Sequence, residues 1–79
     1  MRVRILYFAR LRETLGIDEE MIELLEGARV ETLMRILKNH HQALRGLKLL
    51  VAVNAEYVPL NRELKEGDVV ALFPPVSGG

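Results

Sequence analysis

The sequence predicts an α+β domain in which a mixed sheet of four to five strands carries one main helix on one face. Three observations point there. One stretch places Val30, Leu33, Met34, Leu37 and Leu44 at helical spacing, with His41 in the same stripe. Around it lie short runs rich in β-branched and aromatic residues, bounded by Gly, Pro, Asn and Asp. At 79 residues, 49% of them hydrophobic, the chain supports one small core and no second one.

Residues 3–9 read as the first strand. Val3, Ile5 and Tyr7 form a wholly apolar face, whereas Arg4, Leu6 and Phe8 become apolar only toward the end. Arg10 to Leu15 shows a helical turn closed by Gly16 as a C-cap. Residues 19–25 make a second strand, antiparallel to the first, with Ile22 and Leu24 on one side and Met21, Glu23 and Leu25 on the other. The main helix follows from Val30, with Gly46 as its end. Its start lacks a capping Ser, Thr, Asp or Asn, because Ala28 and Arg29 stand there. Residues 49–53 are apolar on both faces, as in a strand inside a sheet. Asn54 turns the chain, and residues 56–58 form a short edge strand cut off by Pro59. A turn with Gly67 leads into the last strand, residues 69–73. The order β-β-α-β-β-β with one covering helix is the pattern of the β-grasp, or ubiquitin-like, fold. The expected organisation is a β-grasp domain over residues 1–73 and an extended, flexible tail over 74–79.

Composition excludes several function classes. Without cysteine the chain has neither disulfides nor thiolate metal sites. Formal net charge is zero, against a nucleic-acid binder that relies on a basic surface. The charge is uneven, with Arg2, Arg4, Arg10 and Arg12 early and Asp18, Glu19, Glu20, Glu23 and Glu26 after them. Solvated faces account for this, as does a charged rim that orients a protein partner. The start of the chain is too short and charged for a secretory signal, and no apolar run spans a bilayer, so a cytoplasmic protein is expected. Ser77 has no neighbouring His or acid in sequence, and adjacent His40 and His41 lack the spacing of a helical metal pair. No metal site is expected.

The last residues, FPPVSGG, carry the chemistry. Pro74 and Pro75 lack N–H donors and favour stiff, extended backbone. The five residues beyond Pro74 reach roughly 17 Å. Gly78 and Gly79 have no side chains, so their backbone fits a channel too narrow for Cβ atoms. A carboxylate there can be activated as a mixed anhydride with AMP, and sulfur or another nucleophile can then displace the phosphate. The competing explanation is an idle, frayed end.

Residues 3–13 (VRILYFARLRE), Ala52-Val53-Asn54, and above all 64–79 (LKEGDVVALFPPVSGG) resemble the small subunit of molybdopterin synthase, the MoaD-type sulfur carrier. The resemblance covers nearly the whole chain. It implies that Gly79 is adenylated by a ubiquitin-activating-like adenylyltransferase with ATP and converted to a thiocarboxylate, with Gly78 as its slim neighbour. It implies sulfur donation to a cyclic pyranopterin precursor inside the large subunit, which supplies the catalytic residues, within a heterotetramer. This chain would bind no cofactor, nucleic acid or membrane. Phe8, Tyr57 and Phe73 match the family's docking positions, beside Pro74 and Pro75, and Arg12 matches a basic position near that surface. Two departures stand out. Tyr57 replaces the usual aliphatic residue, and Arg29 stands where the family often has a capping Ser or Thr. A ubiquitin-like protein modifier and a thiamine-type sulfur carrier begin with the same C-terminal activation and stay open. So does a plain interaction module, and an autonomous enzyme comes last, for want of a nucleophile, base or metal set.

Overall fold

The computed structural model describes residues 1–74; Pro75, Gly78 and Gly79, with the rest of 75–79, lie outside the described residues. In chain order the elements are β1 (Arg2–Tyr7), α1 (Arg10–Leu15), β2 (Glu19–Glu23), α2 (Val30–His40), a 3-10 turn (Gln42–Leu44), β3 (Leu50–Val53), β4 (Glu56–Tyr57) and β5 (Val69–Phe73). The five strands form one mixed sheet in the order β2-β1-β5-β3-β4. β1 pairs parallel with β5, and every other neighbour is antiparallel. The α+β, β-grasp expectation is borne out.

Strand parity sets which face is covered. Val3, Ile5 and Tyr7 point inward and are at most 2% exposed, while Arg2, Arg4 and Phe8 point to the bare face. Val70 and Leu72 of β5 and Val51 and Val53 of β3 join them inside. α2 supplies the lid through Val30, Leu33, Met34 and Leu37. Each such aliphatic side chain, fully buried, contributes roughly 1.5–3 kcal/mol.

One detail departs from the expected elements. The helix does not run to Gly46. It stops at His40, because His41 turns extended (φ −125°, ψ 96°), and a 3-10 turn then carries Leu44 into the core. The uncapped helix start is satisfied by the backbone, with Val30 N–H donating to Arg62 O at 2.9 Å and Glu31 N–H to Leu60 O at 2.8 Å. β3 does lie between two strands, but β4 pairs with it through only Ala52–Tyr57 and Val53–Glu56.

The uneven charge finds its partners across β1 and β2. Arg4 Nε pairs with Glu19, and Arg2 Nε lies 3.7 Å from Glu23. Among the described residues no helix is long and apolar enough to cross a membrane, and no group of three or more His, Asp or Glu side chains could hold a metal ion.

Candidate functional site

The bare face of the sheet is where side chains gather without cover. Register places Leu6 beside Ala71, Ala71 beside Ala52, and Ala52 beside Tyr57, one row across four strands. The next row pairs Leu50 with Phe73, and Phe8 follows β1 at the same level, its N–H donating to Leu72 O at 3.3 Å. The two alanines keep the floor low, so the aromatic rings stand above it. Phe8 and Phe73 stack with centroids 4.9 Å apart and planes 11° from parallel. Tyr57 tilts against Phe73 at 6.2 Å and 57°. Offset stacking of this kind stabilises by about 0.5–1.5 kcal/mol beyond area burial. The result is an apolar hollow of about 400 Å³.

Tyr57 is 70% exposed and Phe8 39%, and Phe73 is half-buried. They are thus surface side chains on the uncovered face, and a core assignment fails for Tyr57. A solvated aromatic cluster has the composition from which protein interfaces draw their anchors. Pro74 follows Phe73 directly, so the chain leaves the sheet at the edge of the cluster.

Backbone strain marks the same region. Among the described residues, the non-glycine residues at positive φ are Ala9 (52°), Asn54 (51°) and Ala55 (70°). Ala9 follows Phe8 and reverses the chain into α1, with Leu11 N–H donating to Phe8 O at 3.1 Å. Asn54 and Ala55 form the two-residue turn before Tyr57, and Ala55 lines the hollow. A non-glycine residue held at positive φ costs about 1–3 kcal/mol.

Of the expected docking residues, Phe8, Tyr57 and Phe73 come together here. Arg12 does not line the hollow; it sits on α1 with Nε 3.9 Å from Asp18. Gly78, Gly79 and Pro75 lie outside the described residues. Sequence reasoning did not assign Leu50, Ala55 and Ala71 to this surface, and it named Ala52 only within the resembling stretch Ala52-Val53-Asn54. The available signal was parity, since Leu50 and Ala52 alternate on β3 as Ala71 and Phe73 do on β5.

A second polar group went unread. Tyr7 Oη donates to Glu20 Oε2 at 2.5 Å, and His41 Nε2 lies 2.6 Å from the same oxygen. It stands on the covered side, where Glu20 faces inward opposite Ile5. Burial, then the hydrogen bond to Glu20 and its charge, push the Tyr7 phenol well above its ordinary value. The three side chains tie β1, β2 and the end of α2 together.

Known proteins share both the sequence and this shape. The sequence profile of the ThiS family matches residues 5–79. The molybdopterin synthase sulfur carrier subunit of Chlamydomonas reinhardtii is 43% identical, with both chains covered in full. That of Haemophilus influenzae is 40% identical, over 98% of this chain and 99% of its own. A solved structure from Pyrococcus furiosus, assigned as subunit 1 of molybdopterin converting factor, superposes with TM-score 0.90 at 43% identity, covering 96% of this chain and 99% of that one. Small archaeal modifier protein 1 of Haloferax volcanii gives 0.88 at 29% identity, with full coverage of both. Subunit 1 or 2 in a complex of the two from Helicobacter pylori molybdopterin-converting factor matches at 0.69 and 29%, again over both full chains. The chain therefore belongs to the ThiS family, among the sulfur carrier subunits of molybdopterin synthase.

Proposed function

We propose that this chain delivers sulfur on its C-terminal carboxyl for molybdenum cofactor biosynthesis. The observation that carries the reading is the stacked Phe8–Phe73 pair, beside Tyr57, at the point where the chain departs into PPVSGG. A rigid apolar anchor at the root of a slim tail fixes where the tail goes once the body has docked.

The steps balance as follows. The Gly79 carboxylate attacks the α-phosphate of ATP held by a ubiquitin-activating-like adenylyltransferase, and pyrophosphate leaves. A sulfur nucleophile then displaces AMP, leaving a thiocarboxylate. In the large subunit the thiocarboxylate sulfur attacks an electrophilic carbon of a cyclic pyranopterin precursor to form a C–S bond. Water then cleaves the acyl–sulfur bond, leaving sulfur on the pterin and the Gly79 carboxylate free again. Gly78 keeps the passage narrow, and Pro74 and Pro75 keep the spacer extended. Phe8, Tyr57 and Phe73 form the docking face, with Arg12 on its periphery. This chain supplies no acid, base or cofactor, and ATP belongs to the activating partner. The Helicobacter pylori complex of subunits 1 and 2 supports a large-subunit partner; a heterotetramer in the cytoplasm belongs to the same proposal.

A second reading is a protein modifier joined to lysines of its targets, which the likeness to small archaeal modifier protein 1 favours. Intact-mass analysis of the protein from its native cells separates them. Oxygen-to-sulfur exchange at the terminus is the expected result, whereas covalent conjugates with other proteins select the modifier. Deleting Gly79, or adding one residue after it, should abolish sulfur transfer and leave the thermal melt unchanged. Undiminished molybdenum-enzyme activity with a blocked terminus would overturn the proposal.

A further inference from the structure

Opposite the aromatic cluster, on the helix-covered side, lies a larger open groove of about 520 Å³ between α2 and β3. Its floor includes Met34, which is 7% exposed, and its apolar walls are Leu47 and Leu60, 40% and 54% exposed. Arg35 and Lys38, one turn apart on α2, form one rim, and Lys48 stands on the segment leading to β3.

The groove is locally basic. Formal net charge is zero, yet three cations line it against the single carboxylate of Glu31. Arg2, Arg4 and Arg12 are neutralised by carboxylates on or next to β2; Arg35, Lys38 and Lys48 are among the cations that form no ion pair among the described residues, and these three gather in one groove. Exposed leucines between unpaired cations complement a segment carrying leucines among acids. Single-stranded nucleic acid fits less well, because the lining has no aromatic ring on which a base could stack.

We propose that this groove is a second docking surface, which takes an acidic, leucine-bearing segment of a protein partner. Val51 lines the groove and its neighbour Ala52 lines the aromatic hollow, on opposite faces of β3. Both surfaces can therefore be occupied at once. None of this depends on the sulfur chemistry.

The test uses the full chain and a short fluorescein-labelled peptide of aspartate and glutamate carrying two leucines. Fluorescence anisotropy should show binding that weakens as salt rises. Combined Arg35→Glu and Lys38→Glu substitutions should weaken it about tenfold or more. Leu60→Asp, at an exposed site that spares the core, should do the same. Phe73→Glu should leave it unchanged. The proposal is overturned if the peptide does not bind, or if replacing its leucines by serine makes no difference. It also falls if an oligouridylate binds more tightly, or if Phe73→Glu weakens binding as much as the groove variants do.

Discussion

Asn54 and Asp68 lock two turns together: Asn54 Nδ2 donates to Asp68 Oδ1 at 2.9 Å, while Val69 N–H donates to Asn54 Oδ1 at 3.0 Å. Asp68 Oδ2 accepts from Lys65 N–H at 2.8 Å, and Asp68 O accepts from Arg4 N–H at 2.9 Å. The hairpin between β3 and β4 is thereby fixed to the entry of β5. That connection sets the register that brings Phe73 beside Phe8 and Tyr57.

Asp68 is 6% exposed, so its removal leaves donors without partners. Asp68→Ala should cost about 2–3 kcal/mol. Urea denaturation should show a lower midpoint with an unchanged slope.

Ala55 occupies the second position of a turn in which both central residues have positive φ, a position that glycine suits best. Ala55→Gly should relax the backbone and stabilise the fold by about 0.5–1 kcal/mol. It should also weaken docking of the large subunit, because the Ala55 methyl lines the hollow. Paired urea titrations and calorimetric binding measure the two effects, and their opposite signs are the expected signature.

Phe73→Glu places a carboxylate amid the aromatic cluster. Loss of a central anchor should cost about 2 kcal/mol or more of binding, some 30-fold in Kd. Isothermal titration with the large subunit reads it directly. Unchanged affinity would remove the cluster from the interface.

Tyr7 makes the fold sensitive to alkali. Its phenol is held above the ordinary value of 10.0 by burial, assisted by Glu20. The folded protein therefore keeps this proton where the unfolded chain releases it. The contribution is complete below pH ~10 and is lost as pH rises above it. In a Tyr57→Phe background, phenolate absorbance should appear only with unfolding. Tyr7→Phe should reduce the alkaline loss of stability. Glu19 acts at the other end of the scale. A hydrogen bond from Arg4 holds its carboxyl below the ordinary value, so its contribution is present above the unfolded value and is lost as pH falls through the folded one.

Local signals carried much of the architecture. Parity in residues 3–9 separated Val3, Ile5 and Tyr7 from Leu6 and Phe8 as the structure does. Gly16 closes α1 in the left-handed conformation expected of a C-cap. The aromatic residues Phe8, Tyr57 and Phe73 were legible because a family resemblance marked them, and the structure then gathered them on one face. What escaped was set by contacts between distant residues. The helix stripe includes His41 and Leu44, yet Glu20, 21 residues away, holds the His41 ring where the backbone leaves the helix. The missing cap at Arg29 signalled a weak start, but carbonyls of residues 60 and 62 replace it. Spacing along the chain records neither partner. The basic groove was invisible for the same reason, because Arg35, Lys48 and Leu60 meet only after folding.

The parallel pairing of β1 with β5 has a temporal consequence. The strand made last in the sheet fills its middle, between strands made much earlier. A growing chain on the ribosome lacks that middle strand, so the halves of the sheet cannot join until translation has passed Phe73. Aromatic rings from both ends of the chain then meet in the same event. An incomplete polypeptide therefore carries no assembled aromatic surface.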